Sequence, residues 1–196
     1  GKDAFTYVAV DPVGNTSAPA TVTIRIEKQK TKVTYSDMSG MEGHREALRL
    51  AEAGLMIGEQ VNGQYFFHPD EPISRAHFTA LAMRCAGMEA LEGVTLTGFS
   101  DDEAIAVWAK PYVSAALRSG VVQGTYTSDG QVIFRSEAPI TTAEASVLLN
   151  RALRVTDVTN VMATDEASLW YTQAMANLSS CGALPTSALP DQQLTR

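Results

Sequence analysis

Tyr35-Ser36-Asp37 recurs as Phe99-Ser100-Asp101 and again, less closely, as Ala163-Thr164-Asp165, and this period of about 64 residues narrows the accessible folds more than any other property. Two further blocks follow in register: Gly54-Leu55-Met56-Ile57-Gly58 answers to Gly120-Val121-Val122-Gln123-Gly124, and Phe67-His68-Pro69 answers to Phe134-Arg135-Ser136. Each unit closes on a tag, Ile73-Ser74-Arg75-Ala76-His77, then Ile140-Thr141-Thr142-Ala143-Glu144, then Leu194-Thr195-Arg196 where the sequence stops, so the third unit is expected to be incomplete.

Within a unit the pattern predicts helix, short extended loop, helix. Ala47, Leu48, Ala51 and Leu55 fall at helical spacing, with Gly54 placed for a left-handed C-terminal cap. The second helix carries Phe78, Leu81, Ala82 and Cys85 as its expected core stripe, matched by Ala145, Leu148, Leu149 and Ala152. Thr141 and Glu144 have capping-box spacing, and Ser74 can perform the first half of that role. Arg75 then lies in the first turn beside free amides, a combination suited to an anion.

Ahead of the repeats, residues 5–10 and 21–26 read as two strands around the turn Asp11-Pro12-Val13-Gly14-Asn15, followed by the polar linker Glu27-Lys28-Gln29-Lys30-Thr31-Lys32. This hairpin resembles the closing strands of bacterial immunoglobulin-like or cadherin-like surface modules. Two strands bury no core by themselves, so support from the rest of the chain, or self-association with a second copy, is the alternative to a truncated sandwich.

With 45% hydrophobic residues, the chain carries enough apolar material for a core, and its net charge of −7 argues against nucleic acid as a partner. No apolar run approaches a membrane span, so no membrane insertion is expected, and Gly1 in place of Met points to a longer precursor. Cys85 and Cys181 offer neither a disulfide framework nor a zinc site, although a single bridge between them stays open. His44, His68 and His77 are dispersed and the run Asp101-Asp102-Glu103 suits a solvated helix start, so no metal or cofactor is expected. No nucleophile elbow, phosphate loop or dinucleotide fingerprint occurs, and the segment is not expected to be an enzyme.

An aromatic-x-Asp start, a Trp about seven residues on, the Gly-x-x-x-Gly block, Phe-x-Pro and the Ile-Thr-Arg-Ala-Glu-like tag together resemble the S-layer homology repeat over residues 33–196. The resemblance implies a mainly α, pseudo-threefold domain with ligand grooves between repeats. Its divisions are an immunoglobulin-like end at 1–28, a linker at 29–33, and repeats at 34–92, 93–157 and 158–196. It also implies non-covalent anchoring of a surface protein to a bacterial cell wall or surface layer by binding a pyruvylated wall polysaccharide. Carried over by position, the tag Arg falls on Arg75 and Arg196, with Thr142 in the second unit, and the Trp falls on Trp108 and Trp170, with Glu42 in the first. The early Asp falls on Asp37, Asp101 and Asp165.

A ketal-linked pyruvate presents a carboxylate that an Arg fork can grip, while a sugar face lies on Trp. A groove from two repeats would combine Arg75 with Trp108. Arg75→Ala is then expected to weaken binding with little effect on stability, Arg196 sits where chain order is weakest, and each Trp also suits an anchor for its unit's first helix. The three Asp residues double as turn or cap residues, His77 replaces the tag's Glu and would add charge to the Arg75 site at acidic pH, and Arg135 is a candidate replacement for the cation missing at Thr142. The absent Arg and Trp support a second reading, a structural or interaction module whose degenerate repeats no longer bind glycan.

Overall fold

The computed structural model describes residues 1–25, 30–158 and 169–196, and places the first two repeats as helix, hairpin, helix. The first comprises α1 (His44–Glu52), the paired strands that follow the N-terminal β1 (Lys2–Tyr7) and β2 (Ala20–Arg25), namely β3 (Glu59–Val61) and β4 (Gln64–Phe66), and α2 (Arg75–Cys85). The second begins with a 3-10 turn at Asp102–Ala104 and continues as α3 (Lys110–Arg118), β5 (Thr125–Tyr126), β6 (Val132–Ile133) and α4 (Thr142–Leu153). Of the third, α5 (Thr172–Ser180) is described, whereas the Ala163-Thr164-Asp165 motif lies outside the described residues.

The expected extended loop is thus a two-stranded hairpin in both units, and helices and hairpins are mixed where the sequence pattern suggested mainly helix. The turn at Asn62 and Gly63 explains the first: both have positive φ, 50° and 81°, the backbone that a tight antiparallel connection requires.

Each first helix ends in the same way. Gly54 is left-handed at φ 66°, as its position predicts, and the amides of Leu55 and Met56 both donate to the Leu50 carbonyl. Val121 and Val122 repeat this on Ala116, and Ala183 and Leu184 on Leu178. Ala47 and Ala51 of α1 are buried as their spacing predicts. In α2, Ala82 is buried and Phe78 packs against the core as expected, joined by buried Ala76, Thr79, Ala80 and Met83, while Cys85 is exposed. The buried face departs from the expected stripe at Leu81, which lines a surface groove.

The three tags join the units. Ile73 N–H donates to the Leu194 carbonyl, Leu194 N–H to Ile140, and Ile140 N–H to Ile73, each at 3.0 Å, so the bonds close into a ring. A second ring lies outside it: Arg75 N–H donates to Ala138, Thr142 N–H to Gln192, and Arg196 N–H to Glu71. Ile73 and Ile140 are buried at its centre with Leu194 packed against them, and burying each such side chain contributes roughly 1.5–3 kcal/mol. The same extended residues cap the helices that follow. Ser74 accepts from His77 N–H, and Thr141 and Glu144 form the complete capping box.

β1 and β2 pair antiparallel from Lys2 opposite Arg25 to Tyr7 opposite Ala20, and Asp11 organises the turn by accepting from the Val13 and Asn15 amides. Every residue from 1 to 25 is exposed, including Phe5, Tyr7, Val22 and Ile24. Ile26, the end of the expected second strand, lies outside the described residues.

Candidate functional site

Two grooves on the repeat region are built from equivalent residues. The first, about 610 Å³, is lined by Leu55, Met56 and Gly58 at the end of α1, His77, Leu81 and Arg84 on α2, Trp108 ahead of α3, and Arg196. The second, about 430 Å³, has Val121, Val122 and Gly124, then Glu144, Leu148 and Arg151 on α4, Trp170 ahead of α5, and Arg75. One unit supplies the glycine block and a helix, the next a tryptophan, and the remaining one its tag arginine.

This arrangement corrects the pairing expected from sequence. Arg75 shares its groove with Trp170, and Trp108 shares its groove with Arg196. The cause is the hydrogen-bond ring, which hands each tag to another unit: Arg75 N–H is bound to Ala138, so its side chain reaches Phe134 and Glu144 of the second repeat. Arg196 reaches the first repeat in the same way. Its N–H is held by Glu71, its guanidinium donates to the Phe67 carbonyl at 3.4 Å, and Glu71 stands 3.8 Å away, so this terminal residue is tied down where sequence position suggested weak order.

The two arginines sit in different electrostatic settings. Arg75 is only 12% exposed, lies 3.2 Å from Glu144 and stacks 5.3 Å above the Phe134 ring. Burial pushes its pKa down and Glu144 opposes that push. Arg135 donates to the same carboxylate at 2.7 Å, so it joins Arg75 instead of replacing the cation missing at Thr142. Thr142 is buried, and its hydroxyl donates to the Gln192 carbonyl. Arg196, 27% exposed, has the looser pairing.

Trp108 and Trp170 are 45% and 64% exposed, so they stand as surface platforms more than as core anchors. Trp108 contacts the His77 ring at 4.6 Å between centroids, and Trp170 meets Tyr171 edge-on. The glycines are required: a Cβ on Gly58 would run into the Phe66 carbonyl oxygen, and one on Gly124 would lie 2.6 Å from Phe99. Both have positive φ.

Asp37 and Asp101 do not line either groove and instead clamp the hairpin to the unit's start. Asp37 accepts from the amides of Phe67 and His68, and Asp101 from those of Phe134 and Arg135. Burial raises the Asp37 pKa, the Phe67 and His68 amides lower it, and the net direction is down. His68 and Arg135 take left-handed backbone, at φ 58° and 61°, which the carboxylate helps to hold. Asp165 lies outside the described residues. Asp102, part of the acidic run, pairs with Lys110 at 2.6 Å. Its carboxyl is lowered to about 2 by hydrogen bonds from Lys110 and Thr97. Sequence reasoning missed Arg84, Arg151 and Tyr112, which carry no motif signature and are found only by helical position.

The S-layer homology domain model matches residues 98–145, which run from just before Asp101 into α4. The amylopullulanase of Thermoanaerobacterium thermosulfurigenes is 28% identical over 130 residues, covering 64% of this chain and 7% of the relative. Exoglucanase XynX of Acetivibrio thermocellus is 27% identical over 130 residues, covering 64% and 11%. The surface-layer 125 kDa protein of Lysinibacillus sphaericus is 28% identical over 128 residues, covering 65% and 10%. The chain therefore spans a small part of each of these relatives. Among the described residues, no helix is long and apolar enough to cross a membrane. Residues 98–145 match the S-layer homology domain model and the first unit is built on the same helix, hairpin, helix plan, which together with the surface-layer relative indicates an extracellular, cell-wall-associated protein.

Proposed function

We propose that this segment anchors its parent protein by binding an anionic, pyruvylated wall polysaccharide in the Arg196–Trp108 and Arg75–Trp170 grooves. The observation that carries this reading is that each groove brings one tag arginine and one exposed tryptophan from different units onto the same cavity. An arginine fork grips a carboxylate through paired hydrogen bonds, and the indole face accepts the apolar face of a sugar. Thr142 and Glu42 stand where a third such pair would need Arg and Trp, so two sites per chain are expected.

The units are read as residues 34–92, 93–157 and 158–196 about a pseudo-threefold axis, which the two closed rings of tag hydrogen bonds support. The hairpin within 1–28 is read as the end of an immunoglobulin-like module joined by a linker at 29–33, or as a surface for self-association. Its exposed Phe5, Tyr7, Val22 and Ile24 suit either.

The second reading, a structural module of the surface layer without glycan binding, is favoured by one fact: Arg75 is already paired with Glu144 and mostly buried. Titration of solubilised wall polysaccharide against intrinsic tryptophan fluorescence separates the two, because the chain's 2 tryptophans both lie in the grooves. Anchoring predicts a saturable change that Arg196→Ala weakens. A flat titration with folded protein supports the structural module.

A further inference from the structure

The grooves differ most at the third residue of the helix that follows the tag. His77 of α2 occupies the place that Glu144 holds on α4. In the second groove the carboxylate neutralises the tag arginine directly, at 3.2 Å from Arg75. In the first, that position carries a base that is neutral or cationic, never anionic.

Resting on the anchoring reading, we propose that His77 is a specificity-determining residue that makes the Arg196 groove an acid-favoured site for a carboxylate-bearing glycan. Protonated, it places a second cation beside Arg196 at the edge of the Trp108 platform. The Arg75 groove, with Glu144 in the same place, lacks this response.

The geometry around the ring supports the assignment. His77 Nδ1 lies 2.8 Å from the Ser74 hydroxyl, which fixes the ring at the helix start, and its face is tilted 42° to the Trp108 indole at 4.6 Å. A protonated imidazole against an indole gains a favourable cation–π term. Among the described residues, no hydrogen-bonding partner takes Nε2, so the outer nitrogen is available to a ligand.

The other groups around the groove are Arg84 on α2, Tyr112 on α3, and Glu137 and Arg196 from the two neighbouring tag regions. Arg84 donates to the carbonyls of Gly54 and Leu55, which occupies its guanidinium. Burial and then Arg196 push the His77 pKa down, and Glu137 pushes it up. The net direction is down, so the free groove holds neutral His77 at pH 7 and charges below the ordinary histidine range. A bound carboxylate reverses the balance, and by linkage each unit by which it raises that pKa adds up to about tenfold in affinity at acidic pH.

The test measures retention of the whole chain on Gram-positive sacculi carrying the polysaccharide at pH 5.0 and pH 7.5, for wild type and His77→Gln, with His77 titrated by NMR with and without solubilised polysaccharide. Gln preserves a polar, helix-start side chain but cannot charge, and His44 and His68 remain as internal controls. The expected result is wild-type affinity up to about tenfold higher at the lower pH, a flat profile for His77→Gln, and an upward shift of the His77 titration on binding. The same pH dependence in His77→Gln, or pH-independent retention of wild type, overturns the assignment while leaving anchoring intact. Absence of polysaccharide-dependent retention at both pH values overturns anchoring and this inference with it.

Discussion

Arg75→Ala should destabilise the fold as well as weaken binding, a coupling that the tag motif alone does not suggest. The side chain is 12% exposed, its partner Glu144 is 15% exposed, and the guanidinium covers the Phe134 ring. Truncation removes an ion pair between two mostly desolvated side chains and a stacking contact worth about 0.5–1 kcal/mol. Removing one partner of a buried pair commonly costs about 3–5 kcal/mol, because the other charge is stranded. Here Arg135 still holds Glu144 at 2.7 Å, so the expected loss is about 2–3 kcal/mol. At about 2–4 °C per kcal/mol for a chain of this size, the melting temperature should fall by about 5–10 °C. Arg196→Ala is the comparator: with a partially exposed side chain 3.8 Å from Glu71, it should cost under about 1 kcal/mol. Calorimetry or thermal denaturation by circular dichroism reads both variants. Equal melting temperatures for the two would refute the claim that the Arg75 pair is structural.

Gly124→Ala should cost about 3 kcal/mol, because a Cβ at φ 76° meets Phe99, Val132 and the Ile133 carbonyl, whereas Gly130→Ala, in open space at φ 80°, should cost about 1 kcal/mol. Denaturant titration of the pair checks the difference, and equal midpoints would count against it. Asp101→Ala should lower stability by about 2 kcal/mol by releasing the Phe134 and Arg135 amides, and it should speed hydrogen exchange at those two amides first. Asp102 is lowered to about 2 from the ordinary aspartate value of 3.8, so its contribution is complete above pH 3.8 and disappears as pH falls through about 2. Asp102→Asn should therefore be less stable than wild type at neutral pH, and the two should converge on acidification. A gap that is undiminished at pH 2 would contradict this.

Much of the repeat architecture was legible in the sequence because its signals are local. The Thr141–Glu144 capping box and the left-handed Gly54 each depend on a few adjacent residues, and both occur as read. The first hairpin was also signalled, by Asn62-Gly63, but strands of three residues give too little alternation to register as strands. The α2 stripe was read correctly at Phe78 and Ala82 but not at Leu81, which is apolar yet faces a groove, while the buried Thr79 donates its hydroxyl to the Arg75 carbonyl and so joins the core. The groove partners were not legible at all. Which tryptophan meets which arginine depends on hydrogen bonds such as Ile73 to Leu194 and Arg75 to Ala138, between residues far apart in the chain. Tag recognition identified Arg75 and Arg196, but only the rings of tags show that each serves a groove built by another unit.

The central claim is that two grooves, each with an arginine from one unit and a tryptophan from another, hold the wall polysaccharide. The most direct measurement is a pull-down on sacculi, with and without the polysaccharide, of wild type, Trp108→Ala, Trp170→Ala and the double variant. Both side chains are substantially exposed, so the variants should stay folded. The account predicts polysaccharide-dependent retention that each single variant weakens and the double variant abolishes. Retention of the folded double variant at the wild-type level would contradict it.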